Sequence, residues 1–559
     1  MLDVDTRVVS EDAPGIKRRV LMLAGLFVVC GLTFFFGLGR LSFVGPEEPR
    51  YAEVAREMLV TGDYVTPRIC GHVLFEKPVL LYWGEAAAYR IFGVNEFAAR
   101  FPSALAAMLC VLFLYHSIAS TVSSRLALIV SGVLGTSAIF IVFARAATTD
   151  MLLTAGVGGA LMSFYLSTEK VGEARLRYLM LSSAATGVAV LAKGLIGIVL
   201  VAAILTVAFL VTRRRPSVRW YAWGIALIVF LTVTLAWYAP VTLANGRAFI
   251  DEFFVNQHFK RFLLNRYQHP QPLWFLPSIT LAGALPWTFF LIPAAARLPR
   301  LRPRIGDSKQ YLLVLAWIWF LAPLIFFSIS KSKLPSYVLP SLPAVAIIAG
   351  VEVDRLWIGQ KEKLLTSAIW LAALVAIVMA IAVPVYRASQ STDTSRLWTV
   401  VLWMPPVIAL IGAAVGRTRP RALAVGVAAA VVTEVLLATT FLLPSLEDRL
   451  GGRQLALIAA GALGPTEKIE IYRTKKYSPV FYAEGRVVYS DEKGDGLNSF
   501  STDEIADSLQ AEASVIVITR SSFVHDLVDD ERFCTTLIGQ YGTDSALRVS
   551  LRHNCQAGG

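Results

Sequence analysis

Charge is what this chain of 559 residues has least of: 16% of its residues are Asp, Glu, Lys or Arg, against about 25% in soluble proteins. With 56% apolar residues, that deficit excludes an ordinary water-soluble globule. Cysteine is also scarce. The five cysteines, at 30, 70, 110, 534 and 555, show no zinc-ligand spacing. Cys30 and Cys110 fall in apolar runs and suit packing, and Cys70 lies in a polar segment. Cys534 and Cys555 would be free to pair if the tail is exported, a pairing the spacing leaves open. No internal repeat or low-complexity tract is present, which disfavours the common transporter architectures. Acidic residues are too few to balance the basic ones, and the net charge is +12. The surplus is not a nucleic-acid footprint, because it is spread over short loops. Residues 445–559 carry 17 acidic and 12 basic residues, so the excess lies in the segments between apolar runs.

Long apolar runs are what the chain does have. They predict an all-α polytopic membrane protein with about 13 spans over residues 1–444, followed by a small soluble α/β domain, residues 445–559. The spans are expected near 20–41, 99–122, 126–145, 149–168, 177–193, 195–212, 220–242, 273–295, 310–329, 334–352, 364–386, 397–416 and 422–444. The first is expected as a retained span, not a cleaved signal. Lys17-Arg18-Arg19 keeps the N-terminus cytoplasmic. Alternation then puts Lys170/Arg175/Arg177, Arg213–Arg215, Arg297/Arg300, Lys361/Lys363 and Arg417/Arg419/Arg421 on the same side. An odd count sends the acidic tail outside. In the tail, residues 468–474, 480–490, 514–519, 535–541 and 546–551 read as strands. Residues 502–511 read as a helix capped by Ser501 or Thr502.

One polar stretch interrupts the apolar pattern early. Residues 45–101 hold eight carboxylates and six Lys/Arg, in a loop spanning about 42–100 on the outer side. A connection of that length and charge reads as a site more than as a tether. Within it, Tyr51–Leu59 and Pro78–Phe92 have helical character, and both helices are expected to lie flat at the membrane surface. Glu47 and Glu48 suit the positive end of the first helix. Tyr82 and Trp83 suit an interfacial aromatic belt, and Lys77 suits a snorkelling side chain. Asp150, at the end of a span, requires a partner or a function. His72, His258 and His269 lie on the outer side without ligand spacing, so no metal is indicated and a structural one is left open.

The ordered series Glu47-Glu48-Pro49-Arg50-Tyr51, Arg56-Glu57-Met58, Gly62-Asp63-Tyr64, Phe75-Glu76-Lys77-Pro78 and Phe92-Gly93 to Arg100 resembles the first outer loop of GT-C glycosyltransferases. Thr149-Asp150-Met151, Ala192-Lys193-Gly194 and Lys333-Leu334-Pro335-Ser336-Tyr337 extend the pattern. Within that superfamily the chain is most similar to the 4-amino-4-deoxy-L-arabinose lipid A transferases, relatives of the protein O-mannosyltransferases. The likeness covers roughly the first 350 residues. It implies transfer of a sugar from a polyprenyl (undecaprenyl) phosphate carrier to lipid A, or to a protein or glycan acceptor, at the bacterial inner membrane. It also implies Glu47 as catalytic base, with Lys77, Tyr337, Arg50, Tyr51 and an arginine near Arg261 on the donor and its phosphate. Which of Lys260, Arg261 and Arg266 faces the site stays open. Glu48, Glu76 and Asp150 would orient sugar or acceptor. No cofactor is required, since protein cations would stabilise the departing phosphate. The family usually carries Asp-Glu where this chain has Glu47-Glu48, so its base stands on one more methylene, about 1.5 Å of reach. The rival class is a flippase for lipid-linked sugars, which would hold its charges near the midplane instead of in loops.

Overall fold

The apolar runs are helical wherever they can be followed. The computed structural model describes residues 16–260, 271–301, 307–330, 332–360, 362–389, 403–416, 419–450, 452–474, 476–490 and 496–553. In chain order these begin with α1 (Ile16–Cys30), α2 (Glu47–Thr61), strands β1 (Arg68–Ile69) and β2 (His72–Val73), α3 (Leu80–Phe92) and α4 (Glu96–Ala119). There follow α5 (Ser124–Gly135), α6 (Ala138–Ala144), α7 (Thr149–Glu169), α8 (Gly172–Lys193), α9 (Ile196–Thr212) and α10 (Trp220–Phe249). Later apolar helices include Ser308–Ile329, Leu342–Trp357, Lys363–Ser389, Met404–Gly416 and Pro420–Leu437.

Among the described residues, seven helices are long and apolar enough to cross a membrane, or nine if each of two bent pairs is one span. Three shorter apolar helices accompany them. This is a multi-span membrane protein. Of the expected spans, those at 126–145 and 273–295 are each a bent pair of helices. The chain turns by 68° between α5 and α6, and by 108° between Phe275–Gly283 and Trp287–Arg300. Pro286 explains the second break, since it has no N–H to continue a helix. The two breaks also satisfy each other. Ala138 N–H donates to the Leu285 carbonyl at 3.1 Å, and Trp287 Nε1 donates to the Thr136 hydroxyl at 2.9 Å. Backbone freed at membrane depth needs such a partner.

The chain divides into two compact units. The first comprises Met1–Phe36, Glu76–Leu80 and Ser103–Thr440. Its tightest element is the antiparallel hairpin of α7 and α8, joined across Lys170 and Val171. A Cβ at Gly156 would lie 2.9 Å from Ala189 backbone, so glycine is what lets the two helices touch. Ser182 Oγ donates across them to the Ala160 carbonyl at 2.9 Å. The basic loops of this unit also join one another. Lys170 donates to the Ser120 carbonyl at 2.7 Å, Arg175 to Ser217 at 2.7 Å, and Arg214 reaches Glu169 at 3.0 Å.

The second unit comprises Gly37–Phe75, Leu81–Pro102 and Phe441–Gly559. The opening loop is expected to belong with the membrane part, but all of it except Glu76–Leu80 groups with the tail. It is built around α2, which ends at Gly62 in the left-handed conformation, where the Gly62 N–H closes on the Met58 carbonyl at 3.0 Å. Both loop helices bury one side against protein. Five consecutive α2 residues, Tyr51–Ala55, are buried. Tyr82 is buried as well, its ring 5.9 Å from that of Tyr51 and therefore not in an aromatic belt. Tyr89 donates to the Ala52 carbonyl at 3.1 Å and Trp83 to the Tyr64 carbonyl at 2.8 Å, which docks α3 on α2 and on the chain that follows it.

The tail forms a five-stranded sheet in the order β4-β3-β5-β7-β6. Its strands are β3 (Ile469–Tyr472), β4 (Asn498–Ser499), β5 (Val515–Arg520), β6 (Phe533–Tyr541) and β7 (Asp544–Leu551). β3 runs parallel to β4 and β5, and β7 runs antiparallel to β5 and β6. Alternate residues Val515, Val517, Leu547 and Val549 pack against Ile505 and Leu509 of the Thr502–Ala511 helix. Ser501 caps that helix by accepting from Glu504 N–H. Of the strand expected at 480–490 only Val487 pairs, in a single parallel bridge with Ile469 of β3. Residues Ser478–Tyr482 are helical instead, because Pro479 suits a first helical turn, and Glu484 and Gly485 then reverse the chain at positive φ. Cys534 is disulfide-bonded, while Cys555, the partner read for it, lies outside the described residues.

Candidate functional site

The residues singled out by the sequence fall into two groups, one in each unit. In the first unit the α7–α8 hairpin decides the geometry. Equal helices joined by a tight turn put the start of one beside the end of the other. Asp150, on the first turn of α7, therefore meets Lys193, the last residue of α8, in an ion pair. Each also sits at the helix end whose dipole favours its charge. The Lys193 ammonium stands 5.3 Å from the centre of the Tyr337 ring. Tyr337 belongs to a 3-10 turn, Pro335–Ser341, and its ring lies 4.7 Å from that of Phe327. Lys333 is buried and donates to the Gln271 carbonyl at 2.8 Å. Lys77 is only 8% exposed and pairs with its neighbour Glu76 at 2.9 Å, so its charge is held in the protein and does not snorkel. The structure thus brings Asp150 and Tyr337 together through Lys193, to which sequence reading gave no role.

In the second unit Glu47 and Glu48 occupy the first turn of α2. Glu48 accepts from Arg100 Nε at 3.0 Å and Nη2 at 2.8 Å, and from Val44 N–H at 2.8 Å. Arg100 is 3% exposed. Its remaining donors reach the carbonyls of Leu38 at 3.0 Å, Leu41 at 2.6 Å and Ser42 at 2.8 Å. All five N–H groups of the guanidinium are used. The pair winds residues 38–44 around one cation and fixes where α2 begins. Glu48 therefore has a positioning task, next to the half-buried Glu47 and Arg50. Arg100 is a second residue that sequence reading quoted without a role.

Farther along α2, Glu53 is buried and bound by Arg56 at 2.7 and 2.8 Å. Burial pushes its carboxyl up to about 7, against the lowering effect of Arg56. Glu57 accepts the Gly71 N–H at 3.2 Å, where Cys70 and Gly71, both at positive φ, make the tight turn between β1 and β2. Glu85 on α3 is fully buried, and neither oxygen has a hydrogen-bond partner among the described residues. Burial, and then the nearby charge of Glu48, holds its carboxyl well above the usual range. His72 stacks on Tyr489 at 4.5 Å. Arg261, Arg266 and His269 lie outside the described residues, as do the side chains of His258 and Lys260.

The chain is similar to known enzymes. Residues 76–238 match the dolichyl-phosphate-mannose-protein mannosyltransferase family. The undecaprenyl phosphate-alpha-4-amino-4-deoxy-L-arabinose arabinosyl transferase of Aeromonas salmonicida is 30% identical over 413 residues, 68% of this chain and 74% of that protein. Its namesake in Aeromonas hydrophila is 31% identical over 350 residues, 62% of each chain. Among solved structures, ArnT from Cupriavidus metallidurans bound to undecaprenyl phosphate superposes with a TM-score of 0.76 at 24% identity, covering 96% of this chain and 98% of that one. An Archaeoglobus fulgidus oligosaccharyltransferase shares the fold more distantly, with a TM-score of 0.52 at 10% identity over 94% of this chain and 74% of that one. The protein is a GT-C glycosyltransferase. It belongs to the undecaprenyl phosphate-alpha-4-amino-4-deoxy-L-arabinose arabinosyl transferase family.

Two outcomes follow from the buried charges. Arg100→Leu strands the Glu48 carboxylate and is expected to cost about 3–5 kcal/mol, read as a lowered thermal midpoint in detergent; an unchanged midpoint contradicts the pairing. Glu85 binds its proton more tightly folded than unfolded, so its contribution to stability falls as pH rises from the unfolded carboxylate value toward the raised folded one. Glu85→Gln removes that loss. The variant should match the wild type near pH 4 and exceed it increasingly toward pH 8; a difference independent of pH refutes the buried neutral acid.

Proposed function

We propose that this glycosyltransferase moves 4-amino-4-deoxy-L-arabinose from undecaprenyl phosphate to lipid A on the periplasmic face of a bacterial inner membrane. The observation that carries the reading is 30% identity over 413 residues to a transferase named for that donor. The likeness to ArnT supports the same fold for the chain. Thirteen crossings would use the seven long helices, the two bent pairs, the three shorter apolar helices and α8; the cytoplasmic N-terminus and periplasmic tail rest on the distribution of basic residues between them.

In this reading the acceptor oxygen attacks the anomeric carbon from the face opposite the phosphate. The carbon–oxygen bond to the phosphate breaks, and its electron pair leaves on the lipid phosphate. Glu47 takes the acceptor proton, as a carboxylate general base can. Lys77 and Tyr337, with a cation from the segment around Arg261, stabilise the departing charge. Arg50 and Tyr51 hold the donor, while Glu76 and Asp150 orient sugar or acceptor. The burial of Lys77 supports its part, because a desolvated cation acts more strongly on a nearby anion. A protein or another glycan as acceptor, with a different sugar, is the second reading. The match to a protein mannosyltransferase family favours it.

Mass spectrometry of envelope lipids and glycoproteins, from cells with and without the protein, tests the assignment. A pentosamine on lipid A that depends on the protein is expected; unmodified lipid A beside a glycosylated protein favours the second reading. Lys77→Ala should raise the donor concentration needed for half-maximal transfer by on the order of tenfold or more, the loss of one charged hydrogen bond. An unchanged donor dependence removes Lys77 from the phosphate.

A further inference from the structure

The short tail helix Ser478–Tyr482 and the turn after it touch the opening loop at three places, all within the second unit. Ahead of α2, the Phe43 ring packs edge-on against Phe481, with centres 4.8 Å apart. At the start of α4, the Tyr482 hydroxyl donates to Glu96 at 2.5 Å, and Arg453 reaches the same oxygen at 2.5 Å. In the middle of α2, Arg56 bonds buried Glu53 and also donates to the Glu484 carbonyl at 2.8 Å. The turn is shaped for this approach. Glu484 and Gly485 both have positive φ, and a Cβ at Gly485 would lie 2.7 Å from Glu53 Oε1 and 3.4 Å from Glu57 Oε1. A side chain there would be strained at φ +78 and would press on the Glu53 carboxylate that Arg56 binds.

These contacts grip the chain before α2, the body of α2 and the start of α4. Glu47 stands on the first turn of α2, nine residues and about 13 Å of helix from Arg56. A helix held at its middle, at the segment before it and through the start of α4, whose Arg100 grips its first turn, resists tilting, and a general base loses rate steeply when it is displaced. The glutamate here has one torsion more than an aspartate, which makes a fixed backbone matter more. We propose that tail residues 478–485 form a positioning clamp on α2, through which the tail governs the rate of sugar transfer and not the binding of donor. The clamp rests on the assignment of Glu47 as base.

Tyr482→Phe and Gly485→Ala are compared with wild type and with Gly542→Ala. Gly542, at φ +60 in the β6–β7 turn, strains the tail away from the clamp. Full-length proteins in vesicles are assayed for kcat, for KM toward the undecaprenyl-phosphate sugar, and for hydrogen exchange of α2 amides. The clamp variants are expected to lose kcat on the order of tenfold, short of the hundredfold that a 1 Å misplacement can cost. Their KM should hold and α2 exchange should accelerate, while Gly542→Ala leaves all three unchanged. Wild-type kcat in both clamp variants, an equal kcat loss in Gly542→Ala, or unaltered α2 exchange would overturn the proposal. Should Glu47→Gln transfer sugar normally, the base assignment fails by itself, and α2 exchange still decides whether the clamp exists.

Discussion

A guanidinium shielded from water organises the opening loop. Arg100 must place five N–H groups, and an unmet one would cost about 1–3 kcal/mol or more. It meets them with Glu48 and the carbonyls of Leu38, Leu41 and Ser42. The chain from 38 to 44 has little freedom left after that. The same pair fixes the first turn of α2, where Glu48 is the immediate neighbour of Glu47. A buried ion pair of this kind is weak as a source of stability but strong as a specifier of geometry, because its alternatives strand a charge.

The first unit obeys the same rule under a harsher solvent. Backbone released where α5 gives way to α6, and where Pro286 interrupts its helix, finds partners across the two breaks. Asp150 and Lys193 neutralise each other at the open end of the α7–α8 hairpin. Gly156 permits the close helix contact on which that pairing depends. Charge at a span end is thus kept, but only in company. Tyr337 under the Lys193 ammonium adds an aromatic face to the same group.

Much of this was legible in the amino-acid order, and the failures have physical causes. Runs of apolar residues gave the helices, because length and hydropathy decide membrane insertion. They did not give the bends, since hydropathy counts residues and is blind to direction. Pro286 was the available signal for one bend; nothing so strong marks Thr136 and Ser137. The series from Glu47 to Arg100 pointed to the site-bearing loop, yet Arg100 had no visible role, because its partners are backbone carbonyls about sixty positions away. Lys193 was findable. Two helices of similar length joined at Lys170 and Val171 must bring 150 beside 193. The 480–490 segment misled because its β-branched and aromatic residues outweighed Pro479 and Gly485, the two residues that set its backbone.

Sugar transfer, as proposed, turns on one carboxylate held by this scaffold. Its most direct test is single-turnover transfer from an undecaprenyl-phosphate sugar in membranes bearing Glu47→Gln, with folding and donor binding measured alongside. Loss of transfer in a folded protein that still binds donor is the predicted result. Wild-type transfer by that variant would contradict the account.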